Sequence, residues 1–184
     1  MATYEVCPPE VRALLGELVD THFEEIAKAE LTIDLLFAYA DKDKYGMRKG
    51  PALSKRGHEC AAIVSKTPVK DRIRGLRDVL ILIDGDHWPD WTLEQRRALL
   101  HHELTHIDIE RIDGEVKHDS AGRPVVAMRP HDFEVGGFHE VIDIYGIAAM
   151  EARMLVAAAK PYAEQMEFAF GDGTKTRVKK KKAS

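Results

Sequence analysis

A capped, amphipathic segment at residues 92–107 constrains this chain more than any other feature. Pro89-Asp90-Trp91 breaks whatever precedes it, and Thr92 with Gln95 makes a capping-box pattern that satisfies the first orphan amides of a helix. Leu93, Arg97, Leu100, Leu104 and Ile107 recur at helical spacing as a mostly apolar stripe for core packing. Glu94, Gln95 and Arg96 fall at the solvated start, and Gly114 follows soon after the expected end.

Within this helix lies His102-Glu103-x-x-His106, an HExxH motif. Residues four apart stand one turn above each other, so His102 and His106 project two imidazoles toward one point, which suits a tetrahedral zinc ion. Glu103 leans to the side of that point, placed to take a proton from a water instead of binding the metal. This division of labour points to zinc-dependent peptide hydrolysis; the bland alternative is a polar patch on a surface helix. His101 is turned by about 100° from His102 and cannot share the site.

The rest of the composition narrows the setting. At 184 residues, with 45% hydrophobic and 32% charged content, the chain reads as one soluble domain with a substantial core. It has no apolar run long enough for a membrane span, and Met1 to Val6 lack the pattern of a secretory signal. Cys7 and Cys60 make neither a disulfide framework nor a paired-cysteine zinc site, and Cys60 is expected to be a small buried residue. A reduced, cytoplasmic protein is the expectation.

Charge is unevenly spread. Residues 175–184 hold six basic residues and no acid, leaving 21 basic against 31 acidic residues elsewhere, a body of −10. Such a body repels nucleic acid, while the lysine-rich end could attract it weakly and without sequence preference. The expected organisation is one domain over 1–170 and a disordered basic tail over 171–184.

Along the chain, an amphipathic helix should run from Glu10 toward Ala29, with His22 packed or partly exposed on its apolar face and not a ligand, and Leu31 to Tyr39 should form a first strand. Asp41 to Gly50 reads as a basic, turn-rich loop. A second strand is centred on Ala61 to Val64, with His58 structural. Asp78 to Asp84 is the clearest strand, an apolar run of the kind buried on both faces. Asp119 to Gly122 marks a hairpin turn between two half-apolar runs, and Phe138 to Ala159 reads as one long helix with Val141, Ile142, Tyr145, Ala148, Ala149, Ala152 and Leu155 on its stripe.

Two histidines do not hold a catalytic zinc, which takes three protein ligands plus water. His118, His131, Glu134 and the His139-Glu140 pair are the later candidates. His118 falls in a hairpin strand, where exposure is expected. His131 follows Pro130, whose fixed backbone suits a rigidly presented ligand, and Glu134 lies three residues on.

Taken together, Leu93-x-x-Gln95-Arg96-x-Ala98-Leu99-Leu100-x-His102-Glu103-Leu104-x-His106, then His131-Asp132-Phe133-Glu134 and Val141-Ile142-x-x-Tyr145-Gly146, resemble a family of phage metallopeptidases. That family is similar to the SprT-like zinc peptidases, whose third ligand is a histidine in a short His-Gly-x-x-aromatic motif. The resemblance covers about residues 31–147. It implies an α+β, small zincin-like fold, a short mixed sheet packed on the HExxH helix, with N- and C-terminal helices. It also implies Zn2+ bound by His102, His106 and His131, with Glu134 as the alternative third ligand, and Glu103 as the general base. Val135-Gly136-Gly137 departs from the continuous helix that the resemblance calls for, since two glycines weaken a helix. His87, Tyr145 and Arg129 are candidate donors to the oxyanion, and Asp108 is a candidate partner for an imidazole. A protein or peptide substrate follows, with no membrane partner, in the host cytoplasm if the chain is phage-encoded. The rival readings are a non-proteolytic zinc-containing binding protein acting on a protein or DNA-associated partner, and a peptidase directed at DNA-bound proteins.

Overall fold

Strands whose side chains alternate in burial need a partner layer on one face, and this chain supplies it with two helices. The computed structural model describes residues 2–55, 57–131 and 138–156. In chain order the elements are β1 (Thr3–Val6), α1 (Pro9–His22), α2 (Glu24–Lys28), β2 (Ile33–Tyr39), β3 (Ser54–Lys55), β4 (His58–Glu59), β5 (Ala62–Lys66) and α3 (Val69–Ile73). They continue with β6 (Val79–Asp84), α4 (Leu93–Thr105), β7 (Ile107–Ile109), β8 (Arg111–Ile112), β9 (Glu115–Val116), β10 (Val126–Met128) and α5 (His139–Tyr145). Residues 150–156 are also helical. The main sheet runs β1-β2-β6-β5 and is mixed: β2 and β6 are parallel, while the two edge strands pair antiparallel to them.

Register explains which residues make the core. Leu35, Ile81 and Val64 line up across three strands, as do Phe37, Ile83 and Ala62, and all six are buried. They pack against Val11, Leu15 and Leu18 of α1 and Leu99, Leu100 and Leu104 of α4. The intervening row, Leu36, Leu82 and Ile63, points to the other face by the period of two. Ala52 and Leu53 cover part of that face. The Asp78 to Asp84 run is therefore core on one face only, with Leu80 and Leu82 half-buried, which corrects the expectation of burial on both.

α4 starts as its sequence indicates. Thr92 Oγ1 accepts from the Gln95 amide at 3.2 Å, and Gln95 Oε1 accepts from the Thr92 amide at 2.9 Å. Thr92→Ala should cost about 1 kcal/mol, read as a lowered denaturation midpoint at unchanged slope in urea. The helix is shorter than expected at its far end: Thr105 is its last residue, His106 caps it, and Ile107 starts β7. Leu93, expected on the core stripe, is exposed.

Four further expectations need correction. The N-terminal helix breaks at Phe23, which leaves helical geometry (φ −127°, ψ 54°) and packs edge-on to His101. The long helix expected from Phe138 is interrupted at Gly146, whose positive φ of 53° caps α5 and lets the chain turn before residue 150. Between α4 and β10 there are two turns, not one. Asp113-Gly114, both at positive φ, close the β8–β9 hairpin, while Asp119 to Gly122 sit under a His118–Pro124 bridge. Cys60 is half-buried, not buried, and Cys7 is the buried thiol, with its pKa pushed up to about 12 by burial.

One buried polar cluster holds the lower end of the sheet. Asp78 Oδ1 accepts from Arg72 Nε at 2.9 Å and Nη2 at 2.6 Å, and lies 2.8 Å from Arg123 Nε. Its Oδ2 accepts from the Thr32 amide and hydroxyl at 2.8 and 2.6 Å. Arg72 also reaches the Pro124 carbonyl at 2.7 Å and Asp119 Oδ2 at 2.7 Å. These contacts tie α3 and the ends of β2 and β6 to the 119–124 turn. No helix among the described residues is long and apolar enough to cross a membrane.

Candidate metal centre

The site is assembled from α4 and from the strand pair that follows it. α4 presents His102 and His106 one turn apart, with ring centroids 5.0 Å from each other. The chain then reverses through β7 and returns as β10, pairing Met128 with Ile107. That register sets Arg129 beside His106: its amide bonds the His106 carbonyl at 2.8 Å, and its carbonyl accepts from His106 Nδ1 at 2.7 Å. Two residues later His131 arrives, its ring centroid 5.1 Å from His102 and 4.6 Å from His106.

The nitrogen atoms converge. One ligand atom from each of His102, His106 and His131 lies within 4.8 Å of the others, and the Nε2 atoms of His131 and His102 are 3.2 Å apart. Two nitrogens bound to one tetrahedral zinc are separated by ~3.3 Å, given Zn–N bonds of ~2.05 Å. The donor set therefore fits a divalent metal of that class. His106 donates through Nδ1, which leaves Nε2 as its lone-pair atom. Burial, reinforced by the neighbouring His102 and His131, pushes His106 down to about 4 against the pull of the Arg129 carbonyl, so it is neutral near pH 7, as a ligand must be.

Glu103 sits beside the trio and is almost fully buried, at 4% exposure. Burial raises its pKa to about 7, while His102, Lys55 and a Val64 backbone hydrogen bond work in the opposite direction. A carboxylate with that pKa matches a proton-transfer role at neutral pH. A cavity of about 240 Å3 opens onto Glu103 and the three histidines, bounded by edge strand β5 on one side and by Met150 and Met154 on the other.

Two contributors were not legible in advance. Phe138 is fully buried, and its ring lies 5.0, 4.8 and 5.3 Å from those of His102, His106 and His131. Glu151 is buried too and binds His102 Nδ1 through Oε1. Burial opposes a charged His102 ring, but the Glu151 hydrogen bond and the nearby carboxylates outweigh it and raise the pKa. Its sequence signal was a lone acid on the apolar stripe between Ala148 and Leu155.

The remaining candidates separate cleanly. His101 is fully buried, with Nδ1 3.1 Å from the Tyr145 hydroxyl, so both sit on the packed side of α4. His22 is exposed, with its ring 5.1 Å from that of His101, and joins no ligand cluster among the described residues. His87 is held by Asp84 Oδ2 at 2.8 Å and by Arg48 Nη1 at 2.8 Å. Glu59, Asp84 and His87 also cluster, but the Arg48 guanidinium already supplies the positive charge there. Arg129 stays at the centre, its guanidinium 5.3 Å above the Phe138 ring. Asp108 is exposed on β7, with Oδ1 accepting from the Ile109 amide, and the acid bonded to a histidine of this cluster is Glu151. His118 is exposed, and neither it nor the His139-Glu140 pair joins the cluster among the described residues. Glu134, the 171–184 tail and the last part of the expected C-terminal helix lie outside the described residues.

Residues 3–160 match the family model described as "Putative phage metallopeptidase". The chain belongs to this family. No curated protein and no solved structure matches it. Membership makes it a metallopeptidase-family protein with an α+β body, and it implies a metal cofactor.

Proposed function

We propose that this phage metallopeptidase-family protein is a zinc-dependent peptidase in which His102, His106 and His131 hold the ion and Glu103 is the general base. The observation that carries this reading is the convergence of three imidazole nitrogens on one point beside a buried carboxylate. On this reading the body is a small zincin-like fold, similar to SprT-like peptidases, acting on protein or peptide substrates. On this reading it works in a reducing cytoplasm, a setting that suits the free thiols of Cys7 and Cys60.

A bound zinc would supply Lewis acidity, activating a water and polarising the scissile carbonyl. Glu103 accepts the proton released as that water attacks, then passes it to the departing amine. Its buried surroundings, formed with Val64 and Leu99, keep bulk water from competing for the proton. His106 is locked by the Arg129 carbonyl, so its donor atom needs no reorientation.

Metal analysis tests the ligand set. The wild-type chain should carry one zinc, His131→Ala should lose it on dialysis against a weak chelator, and Glu134→Ala should keep it. Full zinc in His131→Ala together with loss in Glu134→Ala would transfer the third-ligand role to Glu134.

A further inference from the structure

His106 is oriented by a backbone carbonyl that the strand pairing supplies automatically, but His102 has no such neighbour. Its Nδ1 is met by a side chain 49 residues away, Glu151. The Glu151 side chain is 3% exposed, and its Oε2 has no partner among the described residues. Burial opposes its charge, and the His102 hydrogen bond is foremost among the contacts that outweigh it. A purely structural position in this mostly apolar packing, beside Met150, Ala149 and Phe138, would be filled better by an aliphatic side chain. The chain is bent at Gly146 before it re-enters a helix at residue 150, and the 146–148 turn packs on α4. The bend and the packing together deliver Glu151 to His102.

We propose that Glu151 is a positioning residue of the metal centre: it holds His102 by Nδ1 and so aims Nε2 at the point shared with His106 and His131. An imidazole has two donor nitrogens, and a carboxylate on one of them selects both the tautomer and the ring orientation. The 3.2 Å separation of the His102 and His131 Nε2 atoms is the geometric result. This inference rests on the metal-dependent reading above.

The test uses the full chain and zinc itself. Zinc affinity is measured by competition with a chromophoric chelator for wild type, Glu151→Ala and Glu151→Gln, alongside urea denaturation of each metal-free protein. Long-range 15N–1H spectra of the zinc-loaded forms report which nitrogen of His102 carries the proton. Glu151→Ala should bind zinc about 10- to 100-fold more weakly, while Glu151→Gln, which keeps an acceptor oxygen, recovers most of that loss. Wild-type His102 should be protonated on Nδ1. A merely structural Glu151 would lower the denaturation midpoint and leave zinc affinity of the folded protein unmoved, and that result overturns the proposal. Should Glu151→Ala fail to fold, Glu151→Met, which fills the space without an acceptor, decides: weaker zinc binding or a shift of zinc to Nδ1 supports the proposal, and wild-type affinity with Nδ1–H retained overturns it. Wild type that binds no zinc defeats the metal-dependent reading itself, a failure distinct from equal affinity in all three proteins.

Discussion

Glu103→Gln should keep its zinc and lose about 10^2- to 10^4-fold in kcat/KM toward an unfolded protein substrate such as casein. Glutamine matches glutamate in shape and fills the same buried position, so packing against Leu99 and β5 survives. It cannot accept a proton, and the buried carboxylate whose pKa is raised to about 7 beside the imidazole cluster is then gone. His102 and His106 do not depend on Glu103 for orientation, because His106 is held by the Arg129 carbonyl and His102 by Glu151. Loss of turnover at full metal content separates a base from a ligand. Unchanged cleavage by the variant would remove Glu103 from the mechanism.

The second large effect concerns stability, not chemistry. Asp78→Ala should destabilise the chain by about 3–5 kcal/mol, because Arg72, 4% exposed, would be left with Asp119 alone as its counter-charge. Urea denaturation of the metal-free protein measures this. Replacing both partners, Arg72→Met with Asp78→Leu, should recover only part of the loss, since Asp119 and the Thr32 amide then lose their partners. The pH dependence has a definite sign. Burial works against ionisation of Asp78, but its bonds to Thr32, Arg123 and Arg72 outweigh it and hold the folded pKa below 3.8. The contribution is therefore full above about pH 4 and is lost as pH falls through the folded value. A cost under about 1 kcal/mol for Asp78→Ala would mean that the pair behaves like an exposed one.

What the sequence disclosed follows from the range of the interactions involved. Thr92 and Gln95 are three residues apart, and the apolar period of 78–84 is intrinsic to that segment, so α4 and β6 could be read directly. His102 and His106 needed only a helix to bring them together. β1 was missed because all four of its residues are exposed, so no alternation marks it. Asp113-Gly114 carries a hairpin signal that the sequence masks, since Gly114 also suits the end of the preceding helix and Arg111 to His118 reads as one half-apolar run. Phe138 and Glu151 join the centre through contacts 32 to 49 residues long, set by the Gly146 bend and the packing on α4. No spacing rule reports such contacts. His131 lay between these cases: Pro130 marked it, but the β7–β10 register placed it.

X-ray absorption at the zinc edge of the loaded protein tests the central claim most directly. One zinc per chain, with three imidazole nitrogens and one oxygen neighbour at about 2.0–2.1 Å, is the expected spectrum. Cys60 also borders the cavity, so a sulfur neighbour at about 2.3 Å, or only two imidazoles in the shell, would contradict a centre built from His102, His106 and His131.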